Sequence, residues 1–409
     1  MHNDILDSLT DYPFDRLRAL LGTTEPPAGM TPIHMQIGEP KHAAPEFIGP
    51  LLTQDMSEWG RYPPPNGPEE LRRAIADWLE TRYDLDSGTI DPGQHIAIVA
   101  GTREALFMAA LLSVPTNKNG NTPAVLMPNP FYQVYVGGGA LARADVVYMP
   151  AGANTGFQPD FEQVAEADLS RAALAYINTP ANPQGSVATM AQLKNAIGLA
   201  RKHDFVLAVD ECYSEIYTGE KPPGLLDACR EIGGENPFAN TLVFHSLSKR
   251  SNVPGLRSGF VAGDPALIRL LLRLRQYGGA QVPLPVMNAS TALWRDEAHV
   301  EASRELYRAK FDLALDMLDG KFSAHFEHTI AITKDGPFLL TAGLYIIRVF
   351  PSEQPTATWF RSCCHSTTIG LTPAGKGAII IGSGTDGNAE AEEEEEEAEE
   401  FFLMIRRPP

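Results

Sequence analysis

Cysteine is scarce in this sequence. The chain of 409 residues has four, namely Cys212, Cys229, Cys363 and Cys364. None belongs to a Cys-x-x-Cys pair of the kind that holds structural zinc, so we expect no metal site. Reduced thiols in a cytosolic protein are the simplest interpretation. Cys212 lies near other residues of interest, but a small buried side chain is its default role.

Long apolar runs are also missing. No stretch reaches the ~18 apolar residues of a membrane-spanning helix, and the amino terminus has neither the basic nor the apolar region of a secretory signal. With 44% hydrophobic and 21% charged residues, the composition is that of a globular protein long enough for two domains. We expect a cytoplasmic protein with no membrane partner.

Positive charge is in short supply. The chain has 33 lysines and arginines against 51 acidic residues, a net charge of −18 at pH 7. Nine of the acids lie within residues 390–400 and are followed by Arg406 and Arg407; without these residues the net charge is still −11. Nucleic acid is therefore not an expected partner, since phosphate backbones need positive patches. We expect residues 388–409 to be a disordered acidic tail or a sequence artefact.

Short apolar runs alternate with helical patterns between residues 96 and 262. This alternation predicts an α/β fold with a mostly parallel sheet and helices on both faces. Gly101, Asn182, Asp210 and Lys249 each follow one of the runs, and we expect one crevice at the sheet edge to contain all four. The predicted strands are residues 96–99, 124–127, 146–149, 173–177, 205–209, 242–244 and 259–262.

Helical periodicity is visible outside these runs. Leu71, Ile75, Trp78 and Leu79 share one face of a helix that begins near Pro68. A short helix is predicted around residues 14–21, and a long helical stretch runs from residue 283 to about residue 318.

Lys249 stands in an informative setting. Ser246 lies three residues before it, and a Pro-Gly turn leads to Arg257 eight residues after it. A hydroxyl and a guanidinium at these positions suit the phosphate of pyridoxal 5'-phosphate (PLP), with the lysine forming a Schiff base to the cofactor. The alternative is a polar surface turn, since most lysines are solvated.

Two further strand ends point to the same chemistry. Asp210 closes an apolar run three residues before Tyr213, where an aspartate can pair with a protonated pyridine nitrogen. In the loop 178–185, prolines and a glycine restrict the backbone and aim the Asn182 amide at a cofactor oxygen. The alternatives are a helix cap for Asp210 and an ordinary turn for the Asn-Pro sequence.

The remaining candidates lie at a strand-to-helix turn and at the end of another strand. The turn of Gly101, Thr102 and Arg103 contains small residues, which leave backbone N–H groups free to bind a phosphate. Tyr132 is placed to stack on the pyridine ring. Phe131 is the rival for that position, and packing in the core is the alternative for both.

In this order the motifs resemble the fold-type I PLP enzymes, the superfamily of aspartate aminotransferase. The landmarks are Gly-Thr-Arg-Glu-Ala, Asn-Pro-x-Gly, Asp-Glu-x-Tyr, and Ser-x-Ser-Lys with a downstream arginine. Residues 37–42, 128–135 and 248–260 are similar to the succinyldiaminopimelate aminotransferases of bacterial lysine biosynthesis. The resemblance extends from about Tyr12 to about Phe311 and then fades.

The resemblance implies the PLP-dependent transferase fold of type I. Residues 46–290 would form the large PLP-binding domain, residues 291–387 a smaller and atypical α+β domain, and residues 1–45 a segment that joins the smaller one. It also implies a homodimer in which Tyr62 reaches the cofactor phosphate of the partner subunit. Gly38 and Asn182 are expected beside the substrate.

One residue that the family uses has no clear match. A small-domain arginine, in a Gly-x-x-Arg context, grips the substrate α-carboxylate in these enzymes. Residues 375–381 are the nearest match, but Ala378 replaces the arginine and Lys376 is only a point charge. Arg348 and Arg361 are candidate replacements, and Arg103 and Arg250 are candidates for a further substrate carboxylate.

Together, the residues predict a PLP-dependent aminotransferase with small amino acid and keto acid substrates. The resemblance implies N-succinyl-LL-2,6-diaminopimelate and 2-oxoglutarate as the pair. Lys249 would be the general base and acid, Asp210 would keep the ring nitrogen protonated, and Tyr213 would bind the phenolic oxygen. The alternatives are an aminotransferase for aspartate, alanine or aromatic substrates, a PLP β-lyase, and a PLP-binding or scaffold protein without turnover.

Overall fold

The computed structural model describes residues 2–9, 11–22 and 38–317, with four short strands beyond them. The helices are α1 (Pro13–Leu21), α2 (Ile48–Thr53), α3 (Glu69–Arg82), α4 (Thr102–Ser113), α5 (Gln133–Leu141), α6 (Glu166–Arg171), α7 (Met190–His203), α8 (Leu225–Ile232), α9 (Leu247–Arg250), α10 (Pro265–Gly278), α11 (Leu284–Arg295) and α12 (Ala298–Met317). The strands are β1 (Ile96–Val99), β2 (Ala124–Asn129), β3 (Asp145–Pro150), β4 (Ala172–Asn178), β5 (Val206–Asp210), β6 (Thr241–Ser246), β7 (Gly259–Gly263), β8 (Ile330–Thr333), β9 (Gly336–Leu339), β10 (Trp359–Arg361) and β11 (Thr368–Gly370).

The chain divides into two compact units. The first comprises Met1–Leu9 and Glu39–Phe326, and the second Thr10–Gly38 and Glu327–Pro409. Described elements of the second unit are α1 and two antiparallel strand pairs, β8 with β9 and β10 with β11. The domain boundaries at residues 45, 290 and 387 stay predictions.

The first unit is built on a seven-stranded sheet. Its strand order is β1-β7-β6-β5-β4-β2-β3. The pairs among β2 to β6 are parallel, whereas β7 runs antiparallel to both β1 and β6. Every apolar run predicted from the sequence is a strand, and the mostly parallel α/β fold is confirmed.

Apolar side chains cover both faces of this sheet. One face packs against α3, α7, α8 and α11, and the other against α4, α5 and α10. In α3, Leu71, Ile75 and Leu79 are at most 1% exposed, as their spacing predicted. Burying such a side chain contributes about 1.5–3 kcal/mol, so these faces fix the helices and the strand ends between them.

The direction of the strands decides where the candidate residues lie. Because β1 and β6 both run antiparallel to β7, their carboxyl ends meet those of β2, β4 and β5 at one edge. The register pairs Asn178 with Asp210 and Asp210 with Phe244 across adjacent strands. That edge is where α/β sheets place their ligands.

Several predictions fall outside the described residues. These are the residues 375–381, with Lys376 and Ala378, the candidate Arg348, and the acidic stretch 388–409. Arg361 ends strand β10, and its backbone alone is described. Among the helices that the structure describes, none has the length and apolarity to span a bilayer.

Candidate active site

Asp210 lies at the centre of the sheet edge. Its side chain is at the end of β5, 7% exposed. The backbone N–H of Cys212 donates to its Oδ1 at 3.2 Å, and the Tyr135 hydroxyl lies 3.3 Å from its Oδ2. Burial raises the pKa of Asp210, while its hydrogen bonds to Cys212 and Tyr135 act in the opposite direction. The carboxylate is therefore held in a place where a cationic partner would stabilise it.

Tyr135 belongs to this site although the sequence analysis did not select it. The side chain is fully buried on α5, and its ring stacks on that of Tyr176 with centroids 4.3 Å apart. Burial raises the pKa of Tyr135 well above its ordinary value, so the hydroxyl stays protonated and donates to Asp210. The available signal was its position three residues after Tyr132, on the same helical face.

Lys249 is carried by the one-turn helix α9. Ser246 caps this helix, because its hydroxyl accepts from the Ser248 N–H at 3.0 Å. The same hydroxyl donates to Ser248 Oγ at 2.8 Å. The Lys249 Nζ lies 5.4 Å from the centroid of the Tyr213 ring. The structure thus brings Lys249, Ser246 and Tyr213 together, and their roles stay predictions.

The loop that carries Asn182 is tied to the strand ends by Asn178. The Asn178 amide donates to the backbone oxygen of Asp210 at 2.9 Å, and its Oδ1 accepts from the Asn182 N–H. A single buried side chain therefore sets the positions of two candidate residues. The sequence analysis treated Asn178 only as the start of the loop; its signal was a polar residue closing an apolar strand.

Gly101 and Arg257 form the next part of the site. Gly101 precedes α4 with φ +83°, and a Cβ added there would lie 2.3 Å from Arg257 Nη2. The exposed Arg257 side chain donates to the oxygens of Pro254 and Ala100, at 2.9 and 3.3 Å. A glycine suits this position because its φ is positive and because an added Cβ would displace the guanidinium. A guanidinium beside a helix N-terminus is an anion-binding arrangement.

The turn also connects to the aromatic candidates. Thr102 Oγ1 lies 3.1 Å from Cys212 Sγ, and Arg103 Nε donates to the Tyr132 hydroxyl at 2.7 Å. Phe131 instead stacks on Tyr148, with centroids 5.4 Å apart. Of the two rival aromatics, Tyr132 is thus the one connected to the Gly101 turn.

Tyr62 and Gly38 are the two remaining predicted residues. Tyr62 is fully exposed, with a relative accessibility of 101%. Gly38 belongs to the second unit. Their roles, at a partner subunit's phosphate and at the substrate carboxylate, stay predictions.

Arg250 does not fit the prediction of a substrate-binding arginine. Its side chain is 3% exposed, donates to the Leu293 oxygen at 2.7 Å and forms an ion pair with Glu297. Because it points into the core, it is not available to a substrate carboxylate. The reason is the length of α9: four residues are too few for a periodicity that reveals the buried face.

The fold and the site define an enzyme class. The family "Aminotransferase class I and II" matches residues 31–367, so the chain belongs to it. It is a class I aminotransferase, and this class depends on pyridoxal phosphate.

Named relatives make the likeness more specific. The 4-dedimethylamino-4-oxo-anhydrotetracycline transaminase OxyQ of Streptomyces rimosus is 33% identical over 289 residues, 70% of this chain and 74% of that protein. An LL-diaminopimelate aminotransferase of Desulforudis audaxviator is 30% identical over 318 residues, 76% and 77% of the two chains. The crystal structure of an aminotransferase from Neisseria meningitidis has 41% identity and a TM-score of 0.73, covering 79% of this chain and 80% of that one.

The residues present fit pyridoxal phosphate. The space at Gly101 that a Cβ would fill lies against the Arg257 guanidinium, where a phosphate needs both backbone N–H groups and positive charge. The buried Asp210 carboxylate matches the one cationic atom of the protonated ring. Lys249, whose Nζ lies 5.4 Å from the centroid of the Tyr213 ring, supplies a primary amine just after strand β6.

Proposed function

We propose that Lys249 is the residue that binds the cofactor covalently and transfers the proton during transamination. Pyridoxal phosphate, when bound, supplies a sink for the electrons released at the substrate α-carbon. The Lys249 amine would be the general base that takes the α-proton of the substrate and the acid that returns it. The observation that carries this proposal is the placement of Lys249 on α9, beside Tyr213 and next to the Asp210 strand end.

Asp210 would hold the proton on the cofactor's ring nitrogen. A buried carboxylate whose pKa is raised is stabilised most by a cationic partner, because few water molecules compete for it. Tyr135 and the Cys212 N–H fix its orientation. Tyr213 and Asn182 would donate hydrogen bonds to the phenolic oxygen, and Tyr132 would stack on the ring.

The phosphate would be held by residues from three elements. Arg257 supplies the charge, the Gly101–Thr102–Arg103 turn supplies backbone N–H groups at the start of α4, and Ser246 supplies a hydroxyl. We further propose that the protein is a homodimer in which Tyr62 completes the phosphate site of the partner subunit. The full exposure of Tyr62 supports this, since none of the residues that the structure describes covers it.

For the substrate, we propose N-succinyl-LL-2,6-diaminopimelate with 2-oxoglutarate as acceptor. The support is the likeness of residues 37–42, 128–135 and 248–260 to succinyldiaminopimelate aminotransferases. A second candidate is LL-diaminopimelate itself, which the names of several relatives favour. The two substrates differ by one acyl group, which removes a positive charge and adds a carboxylate.

A substrate panel separates these candidates. Initial rates of glutamate formation from 2-oxoglutarate would be measured with N-succinyl-LL-diaminopimelate, LL-diaminopimelate, aspartate, alanine and phenylalanine as donors. We expect the highest kcat/KM for the succinylated donor. Preference for another donor would overturn the substrate proposal alone. Release of pyruvate and ammonia from cystathionine, which has a sulfur leaving group on its β-carbon, in the absence of a keto acid would indicate a β-lyase.

A further inference from the structure

The three residues after Lys249 are all anchored to one segment of the chain. Arg250, Ser251 and Asn252 bond to residues of α11, α12 and the turn between them. The contacted residues lie 43 to 51 residues further along the sequence. Helix α9 itself has only four residues, so its position depends on such contacts and not on its own hydrogen bonds.

Arg250 makes the strongest of these contacts. Its ζ carbon lies 5.4 Å from the ring centroid of Trp78 and 4.8 Å from that of Trp294. One nitrogen donates to the Leu293 oxygen at 2.7 Å and the other is paired with Glu297. Two aromatic faces, a carbonyl and a carboxylate therefore fix a planar cation in direction as well as in position.

Ser251 and Asn252 add two weaker contacts. Ser251 Oγ lies 2.8 Å from His299 Nε2, and His299 Nδ1 lies 2.6 Å from Asp296 Oδ1. This is the order of groups in a hydrolase triad, but Ser251 is 0% exposed and is no nucleophile. Asn252 Nδ2 donates to Ser303 Oγ at 3.0 Å. The cluster therefore holds the end of α9 and performs no chemistry of its own.

A buried arginine is a costly way to fill this space. Replacing a buried charged side chain and its partner with apolar residues of similar volume is often neutral or stabilising, so stability alone does not account for the buried Arg250, whose partner Glu297 is half exposed. The pair fixes the direction of the Arg250 side chain. Arg250 is the residue next to Lys249, whose amine the proposed reaction requires.

We propose that Arg250 is a positioning residue: its anchored guanidinium holds α9 so that the Lys249 amine meets the aldehyde carbon of pyridoxal phosphate in a reactive geometry. This proposal rests on the proposed role of Lys249. It assigns to Arg250 no contact with cofactor or substrate.

The test compares covalent and noncovalent binding of the cofactor. Covalent capture is measured as the rate at which borohydride fixes PLP to the chain, read from intact mass. Noncovalent affinity is measured in the Lys249→Ala background, where only the other residues hold PLP. The variants are Arg250→Met, Arg250→Lys and Arg250→Met with Glu297→Met, and the control is Arg295→Met, whose cation is an exposed partner of Glu70.

We expect capture to slow by about ten- to hundredfold in Arg250→Met and in the double variant, since small misplacements of a reacting group cost this much. Noncovalent affinity should be the same in Lys249→Ala with and without Arg250→Met, within about twofold, and Arg295→Met should resemble the parent. The double variant should regain the parental melting temperature without regaining the capture rate.

Other results would overturn the proposal. Capture at the parental rate in the double variant would mean that Arg250 contributes stability alone, and so would an affinity loss of equal size in the Lys249→Ala background. If the Met variants do not fold, the Arg250→Lys variant decides the question. Lysine keeps the positive charge but lacks the planar guanidinium that donates from two nitrogens. Capture at the parental rate in this variant would contradict the inference. If the parent is not captured at Lys249 at all, the proposed function fails instead.

Discussion

At the scale of one residue, the burial of Asp210 has a cost in stability that the proposed function explains. Its carboxylate is buried at a strand end, where the Cys212 N–H and the Tyr135 hydroxyl donate hydrogen bonds to it. Burial raises the pKa of Asp210, which means that the ionised form opposes folding. A cationic ring nitrogen would remove that cost.

The substitution Asp210→Asn should therefore raise the melting temperature of the cofactor-free chain at pH 8. The gain should shrink as the pH falls and vanish below about 3.9, the ordinary pKa of aspartate, where the carboxyl is protonated in both states. With PLP present, transamination should fall by about a hundredfold, the value of a strong hydrogen bond to a charged group. Calorimetry across pH and initial rates measure the two effects.

Asp227→Asn is the matched control. Asp227 is also buried and its pKa is also raised by burial, but it lies at the start of α8. Its substitution should alter stability with pH in the same direction and leave the transamination rate within about twofold of the parent. If the Asp210→Asn variant melted at a lower temperature than the parent, or if it transaminated at the parental rate, the proposed role of Asp210 at the ring nitrogen would be refuted.

The sequence predicted the residues at strand ends better than the side chains that hold those residues in place. Asp210, Gly101 and Lys249 could be found because a polar or small residue closes an apolar run. Tyr135 was missed and Arg250 was assigned to the substrate, because their roles depend on the direction in which each side chain points. The partners of Arg250 lie more than 40 residues away, and no local pattern indicates them.

At the scale of elements, the turn between β1 and α4 is the most constrained part of the site. Gly101 has a positive φ and lies against Arg257. Because the contacting atom is the far end of a flexible side chain, a methyl group there would displace the guanidinium rather than break the fold.

Gly101→Ala should weaken PLP binding by about tenfold or more, the loss of one charge-assisted hydrogen bond. Gly88→Ala is a close control, because Gly88 has the same φ of +83° with nothing within 4 Å of an added Cβ. Both should lower stability by about 1–2 kcal/mol from backbone strain. The PLP affinities of the two variants would be measured by fluorescence titration. Equal affinities would mean that the Gly101 turn does not bind the phosphate.

Element positions followed well from the sequence, but strand direction did not. All seven strands of the large sheet were anticipated, yet an apolar run does not reveal that β7 is antiparallel to its neighbours. That reversal brings Arg257, just before β7, to the edge where β1 and β6 end.

For the whole molecule, the proposed dimer makes each site dependent on two chains. If Tyr62 serves the partner subunit, Lys249→Ala and Tyr62→Ala chains should complement each other. A mixed dimer contains one site with both residues intact, so mixing after reversible dissociation should give more activity than the sum of the separate variants. The control is mixing Lys249→Ala with Lys249→Ala/Tyr62→Ala, which restores no intact site, and purely additive activity in the test mixture would argue against a shared site.

The second unit is where prediction from sequence reached its limit. The first unit is specified by repeated strand and helix signals, whereas the motifs recognised in the sequence end at about residue 311, although the family match extends to residue 367. The expected carboxylate-binding arginine belongs to that later part. Its replacement therefore has to be found by activity measurements on Arg348 and Arg361 variants.

The most direct test of the account is a visible absorption spectrum of the chain with PLP, before and after glutamate is added. We predict a band from PLP bound to Lys249 that disappears as pyridoxamine phosphate and 2-oxoglutarate form in equal amounts, and no such conversion in Lys249→Ala. A band that glutamate leaves unchanged, or conversion by Lys249→Ala at the parental rate, would contradict the assignment of Lys249 as the residue that carries out transamination.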